Sequence, residues 1–247
     1  MTPVAIVTGG SRGIGRAIAQ RLAADGMAVV AADVEAPCRT DGVAGVEHVT
    51  LDVRDRDAVE RTCESVQARL GSLDVLVNNA AVQRLGTIET LEWADWSHVV
   101  DVNLHGVFNC LQAAGRRMIR ARAGAIVNVT SVLAEVGAPG RAAYTAAKAA
   151  VAGLTRVAAV EWAPEGVRVN AVAPGYVETP LLRGAVDARA VDLEATLERI
   201  PQGRLAEPGE VAAAVSFLVS AQAGSVTGQT LSVDGGFSAR LASNRRH

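Results

Sequence analysis

The sequence predicts an α/β fold, a doubly wound parallel sheet of about seven strands with a helical layer on each face, three layers in all. Two observations carry that expectation. Short apolar, β-branched runs alternate with longer helical patterns along the chain. The first run, residues 3–8 (PVAIVT), leads directly into a glycine-rich turn, residues 9–15 (GGSRGIG), and then into a helix.

Taken in order, residues 3–8 read as a buried parallel strand. Residues 9–15 form the turn, and residues 16–24 have helical periodicity. A strand, a glycine turn and a helix N-terminus together make a phosphate cradle. Glycines let the backbone approach the ligand, and the free N–H groups and helix dipole favour its negative charge. Residues 27–33 (MAVVAAD) are the second strand, 46–52 the third, and 55–70 an amphipathic helix. Residues 73–78 are the fourth strand, 99–122 a long helix, and 125–131 the fifth strand. A helix over 142–163 follows, then a strand over 166–173 that ends at Pro174 and Gly175. Residues 176–207 read as a partly helical, mobile substrate lid across the ligand edge of the sheet. Residues 208–220 are a helix capped near Glu207 with Pro208 in its first turn, residues 230–233 the last strand, and 244–247 a fraying tail. With no linker or repeat, residues 1–247 are expected to form one dinucleotide-binding catalytic domain of the Rossmann type.

Composition narrows the function. The chain has 247 residues, 49% of them hydrophobic, and a net charge of −2 with no clustering of one sign. That balance points away from nucleic acid and membrane surfaces, and 3% aromatic residues argue against base-stacking platforms. Cys38, Cys63 and Cys110 make neither a disulfide framework nor a zinc spacing, and the four histidines make no HExxH pattern, so no metal is expected and a cytoplasmic location fits. No apolar stretch reaches a membrane span, and no secretory leader precedes the first strand.

Asp33 ends the second strand eighteen positions after Gly15. An acid at that offset accepts hydrogen bonds from the adenosine ribose and repels a 2′-phosphate. Arg12 pulls the other way, because a guanidinium in the glycine turn can hold a 2′-phosphate or equally face solvent. Asp33 outweighs it, giving NAD as the expected cofactor with NADP as the alternative. Asp52 reads either as a group at the adenine edge, with Val53, or as a helix cap. Asn79 opens onto the small residues Ala80 and Ala81, where a cofactor can lie close above the strand ends, or is only a turn residue. Tyr144 and Lys148 stand four positions apart, which places both on one helix face. A tyrosine titrates near 10, and an ammonium within a few ångströms lowers that value, so the pair reads as an activated acid/base.

Read together, these residues resemble the short-chain dehydrogenase/reductase family in its short single-domain branch, and are similar in pattern to its 3-oxoacyl-[acyl-carrier-protein] reductases. The markers are TGGSRGIG at 8–15, Asp52 with Val53, NNAA at 78–81, Asn103 in VNLHGVF, Ser131, YTAAK at 144–148, Pro174 with Gly175, and VDGG at 233–236. Ala81 departs from the family, which usually has glycine there. The resemblance implies that Tyr144 passes a proton to or from the substrate oxygen and that Lys148 tunes it and holds the nicotinamide ribose. It implies that Ser131 binds the reacting oxygen and that Asn103 places a water in a relay behind Lys148. It also implies cofactor contacts at Gly9, Ser11, Arg12, Gly13, Ile14, Gly15, Asp33, Asp52, Val53, Asn79, Ala80, Ala81, Pro174, Gly175, Val177 and Thr179. Gln83 and Leu133, in the segments flanking the pocket, are candidate substrate contacts beside Ser131 and Tyr144.

The helix over 142–163 carries only Lys148, Arg156 and Glu161 as charges, so it is buried on more than one face. With the apolar stripe of 99–122 it predicts a homo-oligomer, and the family's frequent tetramers point to a homotetramer. The expected function is hydride transfer between a secondary alcohol or its ketone and NAD. The rivals are an NADPH-dependent 3-oxoacyl-[acyl-carrier-protein] reductase and a non-catalytic NAD-binding scaffold. Asp33 and Glu165 speak against the reductase, while Arg116, Arg117, Arg120 and Arg122 form a basic run that an acidic carrier would favour.

Overall fold

The computed structural model describes residues 2–35, 45–187 and 191–240; Cys38, part of the expected lid (188–190) and the tail at 244–247 lie outside them. Seven strands form one parallel sheet: β1 (Val4–Thr8), β2 (Ala28–Asp33), β3 (Val46–Thr50), β4 (Val75–Asn78), β5 (Gly124–Val129), β6 (Val167–Pro174) and β7 (Thr230–Val233). Their order is β3-β2-β1-β4-β5-β6-β7, so the winding reverses between β1 and β4. That reversal leaves a crevice at the C-terminal ends of those two strands.

The two-residue strand period divides the core into two layers. Val4 and Ile6 of β1, Val30 of β2, Leu76 of β4 and Ile126 of β5 face one layer. It is completed by α2 (Arg56–Leu70), α4 (Gly106–Ala121) and α5 (Ala142–Trp162) through Val59, Leu111, Met118 and Val151. Ala5, Val7, Val29, Val77 and Val127 face the other, against Ile18 and Leu22 of α1 (Gly13–Ala24) and Val215 and Leu218 of α8 (Pro208–Val219). Covered on both sides, the strands are continuously apolar rather than alternating.

Local signals set most boundaries. Asp55 caps α2 by accepting the Ala58 N–H at 2.9 Å, so the cap is Asp55 and not Asp52. At α8, Pro208 occupies the first turn and Glu210 accepts the Glu207 N–H at 2.8 Å. The helix expected from residue 99 begins earlier, as α3 (Trp93–Val100), and passes through a π-helical turn, Asp101–His105, before α4. In that turn the Gly106 N–H donates to the Asp101 carbonyl, five residues back. Ser131 stands beyond the end of β5 because its hydroxyl caps the short 3-10 turn Val132–Ala134, accepting the Leu133 N–H at 3.1 Å.

The expected lid holds α6 (Pro180–Asp187) and α7 (Leu193–Arg199). Its two ends are anchored to each other: Ala206 N–H donates to Tyr176 and Glu178 N–H to Ala206, at 2.9 and 2.8 Å. Ile200 is fully buried, and Tyr176 packs edge-on against Phe237 with ring centroids 5.6 Å apart. The part able to swing over the crevice is therefore shorter than 176–207.

A buried polar chain fixes α5 on the sheet. Asn78 of β4 donates to Asn128 of β5 at 2.8 Å, Asn128 donates to the Thr155 hydroxyl at 2.9 Å, and Thr155 donates to the Val151 carbonyl at 2.9 Å. Removing the Thr155 oxygen without changing shape strands a buried amide N–H, which costs about 1–3 kcal/mol. Thr155→Val is therefore expected to lower the unfolding free energy by that amount, read as a lower urea midpoint with the m-value unchanged.

Candidate active site

The crevice between β1 and β4 has the construction a dinucleotide requires. Gly9 has φ +63°, and a Cβ placed on it would lie 2.8 Å from Ala80 Cα. A Cβ on Gly15 would lie 2.1 Å from the Gly9 carbonyl oxygen. No side chain caps α1 and no acid sits in its first turn, so the N–H groups around Gly13 and Ile14 remain open to an anion. The turn is braced from β4. Thr8 Oγ1 accepts the N–H groups of Asn79 and Ala80 at 3.0 and 3.1 Å, and Asn79 Nδ2 donates to the Thr8 and Gly9 carbonyls at 3.0 Å each. The Asn79 amide nitrogen thus shapes the cradle, whereas Ala81 lies exposed at its mouth. Across the crevice, the methyl of Thr179 stands 3.6 Å from where a Gly13 Cβ would be, and Thr179 Oγ1 accepts the Leu182 N–H at 3.3 Å to cap α6.

The β2 side of the crevice is set by charge. Asp33 at the tip of β2 accepts the Ser11 N–H at 3.1 Å and the Glu35 N–H at 3.2 Å. Arg12 is turned away onto Glu35 at 3.0 Å, in an exposed pair. Asp52 is folded onto Arg54 at 2.6 Å, and the Arg54 hydrogen bond holds its carboxyl below the usual range despite some burial. Val53 points into the core against Gly106, so only its backbone faces the crevice. Val177 is likewise buried, while Pro174 and Gly175 run off the end of β6, where the Gly175 N–H donates to Val233 at 3.0 Å.

Tyr144 and Lys148 lie on one face of α5, as their spacing requires. Lys148 is 1% exposed; its Nζ donates to the Val129 carbonyl at 2.7 Å and lies 5.7 Å from the centre of the Tyr144 ring. Burial pushes the Lys148 ammonium down to about 8. Burial also pushes the Tyr144 phenol above its usual value, against the opposing pull of hydrogen bonds from Ser131 and Gln83 and the charge of Arg141. The expectation that Lys148 lowers Tyr144 is therefore not met by the protein's own groups. The ammonium sits over the ring, tied to the end of β5, and desolvation outweighs what reaches the oxygen.

Asn103, in the π-helical turn, is fully buried, with Oδ1 accepting the Val82 N–H at 2.8 Å and Nδ2 donating to the Val82 carbonyl at 3.0 Å. Both ends of its side-chain amide are thus occupied by Val82. Leu133 follows Ser131 in the 3-10 turn. Sequence reasoning missed Arg141, which donates to Gln83 Oε1 while Gln83 reaches Tyr144. The available signal was its place three residues before Tyr144, at the N-cap of α5. Among the described residues no cluster could hold a metal ion, and no helix is long and apolar enough to cross a membrane.

A buried lysine tests this geometry through pH. Below about 8 Lys148 is protonated in both folded and unfolded chains; between about 8 and the unfolded value near 10.5 only the unfolded chain holds the proton. Folding stability contributed by this group therefore rises with pH across that window. From pH 8 to 10 the stability of the wild type relative to Lys148→Met is expected to rise by roughly 2 kcal/mol in denaturant titrations without added nucleotide. The comparison removes the opposite contributions of Cys63, Cys110 and Tyr144, which burial makes hold their protons more tightly when folded.

Comparison with known proteins accords with the site. The family model described as Enoyl-(Acyl carrier protein) reductase matches residues 9–238. The chain is 42% identical over 245 residues to the 3-oxoacyl-[acyl-carrier-protein] reductase FabG of Staphylococcus aureus, covering 96% of this chain and 98% of that protein. It is 46% identical over 244 residues to the cis-4-hydroxycyclohexanecarboxylate dehydrogenase of Sinomonas cyclohexanicum, covering 96% of each. The structure of ElxO with NADP bound superposes with a TM-score of 0.92 at 29% identity, over 97% of this chain and 100% of that one. The chain belongs to the short-chain dehydrogenase/reductase family, whose fold binds a nicotinamide cofactor.

Proposed function

We propose that this chain is an NAD(H)-dependent oxidoreductase that interconverts a secondary alcohol and its ketone, with Tyr144 as the acid/base. The observation that carries this reading is the convergence of Ser131 and Gln83 on the Tyr144 hydroxyl, above a buried Lys148 anchored to Val129. The bound nicotinamide supplies the hydride chemistry. Gly9, Ser11, Gly13, Ile14 and Gly15 cradle its pyrophosphate, Asp33 takes the adenosine ribose, and Asn79, Ala80, Ala81, Pro174, Gly175, Val177 and Thr179 border the nicotinamide side. Tyr144 moves the proton at the substrate oxygen, and Ser131 holds that oxygen in place. Lys148 binds the nicotinamide ribose and passes the proton inward toward a water at the Asn103 carbonyl. Burial that keeps the phenol protonated suits ketone reduction, where Tyr144 acts as the acid.

A preference for NAD over NADP is supported by Asp33 and Glu35 standing together at the ribose end while Arg12 is engaged by Glu35. A 2′-phosphate there would meet two carboxylates. The relative from Sinomonas supports an alcohol on a carbon ring as the substrate. The FabG relative favours a second reading, an NADPH-dependent 3-oxoacyl-[acyl-carrier-protein] reductase. Against it, Arg116 and Arg117 pair with Glu60 and Arg122 with Glu165, which leaves less positive charge for an acidic carrier.

A homo-oligomer, expected to be a tetramer, is supported by apolar side chains left in solvent on α4 (Phe108, 46% exposed) and α5 (Val157, 54%, and Val160, 78%). Val160→Glu is expected to shift the sedimentation of the protein toward smaller species; a wild-type monomer at micromolar concentration would end the assembly claim.

Two kinetic tests address the reaction. Tyr144→Phe is expected to lose roughly 10³-fold or more in kcat while NADH binding, read by fluorescence, stays nearly unchanged. Side-by-side assays are expected to favour NADH over NADPH by about tenfold or more in kcat/KM. The reverse preference would contradict the role given to Asp33.

A further inference from the structure

The segments after β4 and β5 are joined at the mouth of the pocket. Gly86 and Arg141 form a bridge, with the Gly86 N–H donating to the Gly140 carbonyl at 3.2 Å. The Arg141 N–H donates to Ala138 at 3.3 Å, and the Arg141 carbonyl accepts the first α5 bond, from Thr145 at 2.9 Å. The backbone of Arg141 is therefore fixed. Its side chain is fixed as well, because Nη1 donates to Gln83 Oε1. That contact sets the amide orientation: with its oxygen toward Arg141, Gln83 turns its nitrogen to the Tyr144 hydroxyl.

The arginines elsewhere on the surface mostly meet acids: Arg54 meets Asp52, Arg69 Glu47, Arg84 Asp95, Arg122 Glu165 and Arg204 Glu210. Arg141 is half-buried, and among the described residues no carboxylate lies within ion-pair distance of it. A guanidinium has five N–H donors in a planar fork matched to a carboxylate, and its partial burial is costly while the charge has no counterpart. Two hydrogen bonds and one amide separate Nη1 from the Tyr144 oxygen, a span of at most about 8 Å. A carboxylate on Arg141 and a reacting oxygen on Tyr144 thus fit within one small molecule.

Building on the reaction proposed above, we infer that the substrate is an anion, a hydroxy acid or the matching keto acid, whose carboxylate docks on Arg141 while its alcohol or ketone carbon faces Tyr144. Gln83 relays the position of one end to the other. A neutral 3-oxoacyl thioester offers Arg141 no such partner, so this reading also separates the two candidate substrate classes.

The test compares acids with their neutral methyl esters, in matched 3-hydroxybutyrate and 4-hydroxycyclohexanecarboxylate series, using wild-type protein, Arg141→Gln and Arg141→Lys. The wild type is expected to favour at least one acid over its ester by about tenfold or more in kcat/KM. The ratio is expected to fall toward one in Arg141→Gln and to be partly restored in Arg141→Lys. Equal use of acid and ester by the wild type, an unchanged ratio in Arg141→Gln, or better turnover of a 3-oxoacyl thioester than of every acid would overturn the inference. A binding measurement separates this inference from the reaction itself. With NADH present, cyclohexanecarboxylate is expected to bind the wild type more tightly than cyclohexanecarboxamide, and to lose that advantage in Arg141→Gln. Acid-selective binding without turnover of any alcohol would sustain the anion site and overturn the proposed reaction; binding with no acid preference would overturn the site even if neutral alcohols were turned over.

Discussion

The site depends on a lysine that is out of water and held by one carbonyl. Lys148 is the largest fully buried side chain in the chain's described part, and its ammonium is bound by Val129 at the very end of β5. Burying that charge is unfavourable, which is why its proton is weakly held. The fold tolerates the cost because α5 is clamped to the sheet lower down, through Asn78, Asn128 and Thr155. Thr155 of the clamp and Lys148 lie two turns apart on one helix, so the same contacts that set the height of α5 also place Tyr144 beside Ser131. Stability and chemistry are joined in a single element.

The two ends of the crevice follow different electrostatic rules. At the start of α1, uncapped N–H groups and a first turn without acid favour an anion. At the tip of β2, Asp33 and Glu35 make the crevice hostile to a further negative charge. The crevice thus attracts negative charge at one place and repels it at the other. At the opposite end lies the positive charge of Arg141, whose side chain donates to Gln83.

Much of this was legible because it lies within local sequence. The glycine turn could be read from one strand, one turn and one helix, and the structure places Gly9 and Gly15 where no side chain fits. The Tyr144–Lys148 spacing gave their common face. The electrostatics were not legible, since the direction of the Tyr144 shift depends on desolvation, a property of the packed site rather than of the pair. Asn103 illustrates the same limit: the motif is visible, yet its amide is committed to Val82, twenty-one residues away in the chain. The π-helical turn carries no composition signal, and α3 begins at Trp93, which is 78% exposed, so no apolar burial marks its first turn. Arg141 was overlooked because its partner, Gln83, is fifty-eight residues away and meets it only when the segments after β4 and β5 join.

The most direct test is the ionisation of one phenol. The chain has two tyrosines, so a Tyr176→Phe variant leaves Tyr144 as the sole phenolate chromophore of its kind. Its absorbance titration in the protein alone is expected to lie above 10, and addition of oxidised NAD is expected to bring it down by at least one pH unit, because the nicotinamide brings a positive charge to a site where Lys148, having lost its proton above about pH 8, no longer supplies one. A titration that does not move on adding the cofactor, in protein shown by other means to bind it, would contradict the claim that Tyr144 and Lys148 form the acid/base of a nicotinamide site.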